Sequence, residues 1–439
     1  MESRSDRDIR KILEDLPIIS SHEHHLPDEW QKTMTLDRVL DFAYIGWYAG
    51  RKTKWQTDTP QDRALLSNAN LNKKYYLPDV GDKTNLVEVE KQRKNYIDLF
   101  GYNSYWVWLE KDIQKIYKLN SSITPQNWDH VSEQIAKMHG DPGAHIRIMK
   151  ESGGYIRAVQ DTYWDYCSDL GHPEIFSPTM RIDMFVTSSH PTLPDHDQNC
   201  PFESYPDAPT ENFDDYLDFV RNIFISWRNK GGVAMKCASA YERPIGFNPA
   251  SREEAQKVFY KLKDQISNQE RLAYGDYMFN WFCQLNMELE IPFQIHTGLA
   301  SIAGSNPMLF EPVIRRYPEI RFVLFHMGFP WYNEIAGLAH NYNNIFIDMV
   351  WAPIISTSAA TQALRQYIEV SRTSHLIGWG SDTWTSEEAV GAVLAWKHVV
   401  SKVLSEMVDS AYIDLKKAEA LAEKLMYKNN AELYGLAGS

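Results

Sequence analysis

This sequence predicts an α/β chain folded as a (β/α)8 TIM barrel, with a mostly helical insertion after the first strand. Three observations carry that prediction. Eight short apolar runs are spaced along the 439 residues, helical patterns lie between most of them, and several of the runs end in His, Lys or Asp. Strand–helix alternation points to a parallel sheet with helical crossovers, and a chain of this length suits one large barrel carrying an insertion.

The runs fall at residues 16–20, 155–160, 180–185, 232–236, 292–296, 321–326, 345–349 and 376–381. Short apolar runs of this kind read as buried parallel strands. Helical periodicity occupies 214–229, 252–267, 274–288, 308–316, 331–341 and 359–371. One connection is far too long for a plain βα unit, that between the first and second runs. Within it, residues 30–122 are rich in aromatic and charged residues, with helical stretches at 36–47 and 87–100. This segment reads as a helical insertion, either a cap over the active face or a structural elaboration. Residues 413–434 read as a closing helix, and the whole of 1–439 as one barrel domain.

Composition narrows the function. Hydrophobic residues make up 44% and aromatics 13%, enough for a sizeable core. The formal net charge is −13 with no basic block, which argues against a nucleic-acid partner. Cys167, Cys200, Cys237 and Cys283 are scattered without CxxC spacing, so neither a disulfide framework nor a cysteine zinc knuckle is expected. No apolar run is long enough to span a membrane, and the charged N-terminus reads as helix rather than a signal peptide. Cytoplasm is the expected compartment.

The chemistry begins in DLPIISSHEHH. Side chains alternate along a strand, so His22 and His24 share a face and can grip one metal ion. Taken alone, a His-x-His pair is as often an ordinary surface feature. Later runs repeat the theme: IPFQIHTG ends at His296, RFVLFHMG at His326, and HLIGWGSDT carries Asp382. A single such histidine is often a satisfied core residue. An ordered set is not, because the C-terminal ends of barrel strands converge on one face. Lys236 ends the fourth run and is costly there unless paired or modified. Three states are open to it: a carbamate that ligates metal, an ammonium that orients substrate, or an ammonium paired with an internal acid.

These motifs resemble the amidohydrolase superfamily, in particular its amidohydrolase-2 branch and the amidohydrolase-like domain of nodulin- and FluG-type proteins. The likeness rests on the lysine run followed by AYERPI, on QIHTG, on LFH and on GSDTW, and covers about residues 16–22 and 150–435. It implies one or two divalent ions, usually zinc, with His22, His24 and Asp382 as ligands and further ligands or catalytic groups at Lys236, His296 and His326. Two ions would share Lys236. It also implies metal-activated water, with Asp382 as proton acceptor and His326 and Lys236 as further catalytic groups. The expected activity is hydrolysis of an amide, ester or lactone in a small molecule. The alternative is a metal-dependent decarboxylase, lyase or uronate-isomerase-like enzyme. Arg243 is suited to hold a substrate carboxylate, with Tyr241 and Trp384 beside it as contacts. Barrels of this type commonly form homo-oligomers.

Overall fold

The computed structural model describes residues 3–48, 86–190, 193–373 and 376–436. Seven strands form one parallel sheet in sequence order: β1 Ile18–Glu23, β2 Tyr155–Gln160, β3 Phe176–Arg181, β4 Ala234–Cys237, β5 Phe293–Ile295, β6 Phe322–Leu324 and β7 Ile345–Ile347. Parallel neighbours need crossovers, and helices supply them. Register is continuous from β3 onward: Arg181 pairs with Lys236, Lys236 with Gln294, Gln294 with Val323 and Val323 with Phe346.

The eighth run forms no regular strand, only an isolated bridge between Asp348 and Gly378. It still fills the eighth position. Gly378 N donates to Ile347 O and Met349 N to Gly378 O on one side; Ser21 N donates to Trp379 O and Asp382 N to His22 O on the other. These bonds close the barrel between β7 and β1. The approach to β1 is so tight that a Cβ on Gly380 would lie 2.6 Å from His22 N. Only a residue without a side chain fits there.

The fourth to seventh strands differ from expectation by at most two residues at either end, and the first and third by more. β1 runs to Glu23 rather than ending at residue 20, which brings His22 into the strand. β3 lies at Phe176–Arg181, and the run expected as strand to residue 185 instead turns into the buried helix Asp183–Thr187. A short apolar run is compatible with either state, and here packing against the helix Asn268–Leu289 decides it.

Ile19, Val159, Ala234, Val323 and Phe346, from five strands, pack in one cluster with Leu433, Tyr434 and Leu436 of the chain's end. This plugs the barrel interior below the strand ends. Between β1 and β2 the described residues are helical: Asp28–Gln31, Leu36–Phe42, Tyr44–Tyr48, Leu86–Phe100, Ser104–Ile116, Trp128–His139 and Ala144–Ile148. The helical stretch therefore continues beyond residue 122 towards β2, and the part of the expected insertion at 49–85 lies outside the described residues. The helix Ser386–Asp409 packs on Ser104–Ile116 and on Arg4–Asp15, tying this stretch and the N-terminus to the barrel. Among the described residues no helix is long and apolar enough to cross a membrane.

Candidate metal centre

β1 delivers two imidazoles. His22 is fully buried, and His24 follows just past the strand end. Glu23 turns the other way, where it accepts from Ser20 Oγ at 2.6 Å, from Tyr155 OH at 3.1 Å and from Ser381 Oγ. Glu23 thus fastens β1 to its neighbours while the flanking histidines face the barrel mouth. Asp382 arrives from the eighth segment. Its Oδ1 lies 3.4 Å from His22 Nε2 and 3.2 Å from His24 Nε2. One donor atom from each of the three side chains lies within 4.8 Å of the other two.

The protonation pattern of this trio fits a divalent ion. His24 Nδ1 lies 2.8 Å from the carbonyl oxygen of Asp161. A carbonyl only accepts, so Nδ1 holds the proton and Nε2 turns towards Asp382. Both ring nitrogens of buried His22 lack a hydrogen-bond partner. Burial, with Lys236 and His24 adding to it, pushes the His22 pKa well below the usual imidazole value, so the ring is a neutral donor. Burial alone would lower His24 too, but the Asp382 carboxylate and then Asp161 carry it above the usual value. Without metal, a proton therefore sits between His24 and Asp382. A divalent cation displaces a proton from such a place.

His296 and His326, at the ends of β5 and β6, face each other, with His326 Nε2 3.0 Å from His296 Nδ1. His296 Nε2 donates to Leu299 O at 3.0 Å and His326 Nδ1 to Val350 O at 3.3 Å, so in the neutral rings the two nitrogens that face each other both carry lone pairs. His326 Nδ1 also lies 3.9 Å from Asp382 Oδ2. Burial pushes both rings well below the ordinary pKa. His326 and Asp382 also hold left-handed backbone, φ 62° and 64°, as does Trp351 at 63°. Such conformations are uncommon for these residue types and concentrate at functional sites.

Lys236 is buried at the same mouth, its Nζ 3.7 Å from the centre of the Phe325 ring. Burial lowers its pKa to about 8, against the pull of Asp382 and Asp161. Tyr241 lies between His296 and His196, ring centres 4.6 and 5.1 Å away. Trp384 stacks on His24 at 5.1 Å and its Nε1 donates to Tyr163 OH at 3.3 Å. Arg243 is not brought to the site. Its guanidinium is engaged by Asp276 and by Leu272 O on the helix Asn268–Leu289, and it lies over Phe247. In AYERPI it is Glu242, one residue earlier, that turns inward, holding His196 Nδ1 at 2.8 Å.

Three further residues complete the site. Asp161, just after β2, places Oδ2 3.7 Å from His22 Nε2. Arg181, the last residue of β3, joins it at 3.2 Å and also meets Asp183 and Asp197 at 3.0 and 2.8 Å. Both stand at a strand end with a polar side chain, the rule that singles out His296; Asp161 directly follows the expected limit of β2, and the observed limit of β3 exposes Arg181. Tyr44 comes from the helical insertion and donates its hydroxyl to Asp382 Oδ2 at 2.8 Å. Its ring stacks on Trp351 at 4.4 Å. Nothing in the spacing of the sequence marks this tyrosine.

Residues 265–436 match the amidohydrolase family. The protein fluG of Emericella nidulans is 29% identical over 151 residues, a match covering 33% of this chain and 17% of that protein. The matched segment therefore spans less than a fifth of that relative's length. Among solved structures, a uronate isomerase from Thermotoga maritima superposes with TM-score 0.75 at 16% identity, covering 98% of this chain and 97% of that one. A glucuronate isomerase from Caulobacter crescentus gives TM-score 0.72 at 17% identity, covering 99% and 94%. At such identities the likeness is one of fold, and it extends over the helical insertion as well as the barrel. Over residues 265–436 the sequence is thus similar to the amidohydrolase family, and the chain as a whole shares its barrel fold with these solved structures.

Proposed function

We propose that the protein is a metal-dependent hydrolase of a small molecule, acting on an amide, ester or lactone with one divalent ion held by His22, His24 and Asp382. One observation carries this reading: three donors within 4.8 Å, one of them a buried imidazole with no hydrogen-bond partner. Two imidazoles and a carboxylate match the three-ligand set of catalytic zinc sites, which keep one position open. An ion there supplies Lewis acidity towards a carbonyl and lowers the pKa of water from 15.7 towards ~7.

The chain's own groups do the rest. Asp382 accepts the proton of the attacking water through Oδ1, while Tyr44 holds Oδ2 in place. Asp382 then returns that proton to the leaving group, with neutral His326 beside it, Nδ1 3.9 Å from Oδ2. The Lys236 ammonium, charged below about pH 8, meets negative charge on the substrate. Because His22, His24 and Asp382 are the one group of three close donors at the barrel mouth among the described residues, this reading uses one ion and an unmodified Lys236 rather than a lysine-bridged pair of ions. With Arg243 engaged elsewhere, a substrate carboxylate would bind at Lys236.

That same feature supports a second reading, a sugar-acid isomerase. A free ammonium and a neutral imidazole base suit proton transfer between adjacent carbons, and two full-length structural neighbours are uronate isomerases. A panel of lactones, amides, esters and uronates, run with zinc-loaded protein in 18O-water, separates the two. Hydrolysis places 18O in the carboxylate of the product acid, whereas isomerisation consumes substrate and leaves its carboxylate unlabelled. Inertness towards every lactone, amide and ester, or full activity in Asp382→Asn, would remove the hydrolase reading.

A further inference from the structure

Outside the barrel mouth a second set of imidazoles converges. Asp28 opens the helix Asp28–Gln31, His145 lies on the helix Ala144–Ile148, and His172 stands in the connection between β2 and β3. Asp28 Oδ1 is 2.9 Å from His145 Nε2 and 2.7 Å from His172 Nε2. The three donor atoms lie within 4.8 Å of one another. None of these residues takes part in the site described above.

The hydrogen-bond pattern behind His145 is the telling feature. His145 Nδ1 sits 2.7 Å from His25 Nε2. Gln31 Nε2 donates to Trp384 O and reaches the same His25 nitrogen, both at 3.3 Å. A carbonyl takes only a donor, so this end of Gln31 is its amide nitrogen. His25 Nε2 is then an acceptor, and the proton of the 2.7 Å bond belongs to His145 Nδ1. His145 Nε2 is left with a lone pair pointing at a carboxylate oxygen 2.9 Å away. Two acceptors in contact need a cation between them. The His145 side chain is only 4% exposed, and burial disfavours a second proton on the ring. An outer hydrogen bond that fixes the tautomer of an imidazole is the usual support of a ligating histidine. His172 has a matching support, with Glu174 Oε1 3.5 Å from its Nδ1 when Nε2 turns to a cation.

We infer that Asp28, His145 and His172 form a second divalent-metal site, one that takes a borderline cation of the zinc type and leaves a position open to water. The donor set, two imidazoles and one carboxylate, suits zinc better than calcium or magnesium, which favour all-oxygen shells. Its place in the fold gives it a structural task. Asp28 and His145 belong to the helical stretch between β1 and β2, and His172 to the barrel's β2–β3 connection, so an ion here staples one to the other.

The test uses the full chain stripped of metal and titrated with Zn2+ alone, read by bound metal per chain and by thermal unfolding. Wild type is expected to bind one more equivalent than the Asp28→Asn/His172→Ala variant and to gain more thermal stability from Zn2+. His22→Ala/His24→Ala should lose the barrel-mouth equivalent and keep this one, which separates the site from the proposed activity. If the double variant does not fold, His172→Gln is read in the same way, since that side chain is 19% exposed. Equal stoichiometry and equal Zn2+ stabilisation in wild type and variant would overturn the inference.

Discussion

Replacing Tyr44 by Phe isolates the contribution of the helical insertion to the metal centre. The substitution removes one hydroxyl, which donates to Asp382 Oδ2 at 2.8 Å. It keeps the ring that stacks on Trp351 and the backbone N–H that donates to Glu388 Oε1 at 2.7 Å. Asp382 then loses a hydrogen bond to a charged group, worth about 1.5–3 kcal/mol. Its carboxylate becomes free to rotate away from the His22 and His24 nitrogens 3.4 and 3.2 Å from Oδ1. Losing such an outer partner lowers metal affinity about 10–100-fold, in line with that energy at 1.4 kcal/mol per tenfold. The assay is competition for Zn2+ against a chromophoric chelator, with Tyr105→Phe as the control. Tyr105 stacks on Tyr44 at 5.5 Å, and no bond from its hydroxyl reaches Asp382. The reasoning predicts weaker zinc binding in Tyr44→Phe alone, with the folded state intact by circular dichroism. Zinc affinity within twofold of wild type would refute it.

Other perturbations follow from the same geometry. Lys236→Met should stabilise the metal-free protein at neutral pH. A lysine lowered from 10.5 to about 8 on folding opposes folding fully below pH 8 and progressively less up to 10.5, so the gain should shrink across that interval in urea melts. A constant gain at all pH values would contradict the burial argument. Gly380→Ala drives a Cβ to 2.6 Å from His22 N and should cost about 1–3 kcal/mol by chemical denaturation, and a midpoint unchanged from wild type would show that the eighth segment can shift. Glu387→Gln should destabilise by about 3–5 kcal/mol, because His139 Nε2 and Tyr117 OH both bond Glu387 Oε1, at 2.7 and 2.6 Å, in a fully buried setting. Burial pushes the Glu387 carboxyl up, but His139 and Tyr117 hold it at about 2, so its stabilising effect is present above pH 4.5 and disappears as pH falls towards 2. An acid-unfolding profile identical to that of the Gln variant would exclude this role.

The barrel was legible because buried parallel strands must be apolar along their length and can afford polarity only where they end. His22, His296, His326 and Lys236 stand out as polar ends of apolar runs, and they share one mouth because all strands point the same way. Asp161 and Arg181 obey the same rule. Asp161 lies one residue beyond β2, whose limits match expectation, so apolarity alone does not mark it; Arg181 is hidden because the run after it is as apolar as a strand yet folds as the helix Asp183–Thr187. Arg243 failed for a different reason. Sequence gives a loop residue its neighbourhood but not its direction, and Asp276 on a helix behind the loop provides a buried partner for the guanidinium. Tyr44 had no legible signal, since its approach to Asp382 depends on how a whole helical segment docks.

The short stretch from His22 to Asp28 shows how one strand end serves two sites. In and just past β1, His22 and His24 face the barrel mouth, and Glu23 between them is buried on the other side against Ser381 and Tyr155. His25 follows the direction of Glu23 and so meets His145 rather than Asp382. Three residues later Asp28 starts a helix and presents its carboxylate to the same imidazole. Backbone alternation alone therefore sorts adjacent histidines into separate clusters. The two clusters share a support. His24 Nδ1 is fixed by the backbone of Asp161, and His25 N is held by Gln160 Oε1 at 3.2 Å, so both are registered against the end of β2. An ion drawing His145 and Asp28 together would load His25, and through one peptide unit the ring of His24. The barrel-mouth zinc affinity should accordingly weaken in Asp28→Asn/His172→Ala even though neither residue touches that site. Unchanged affinity there would mean that Gln160 holds His25 firmly enough to insulate one cluster from the other.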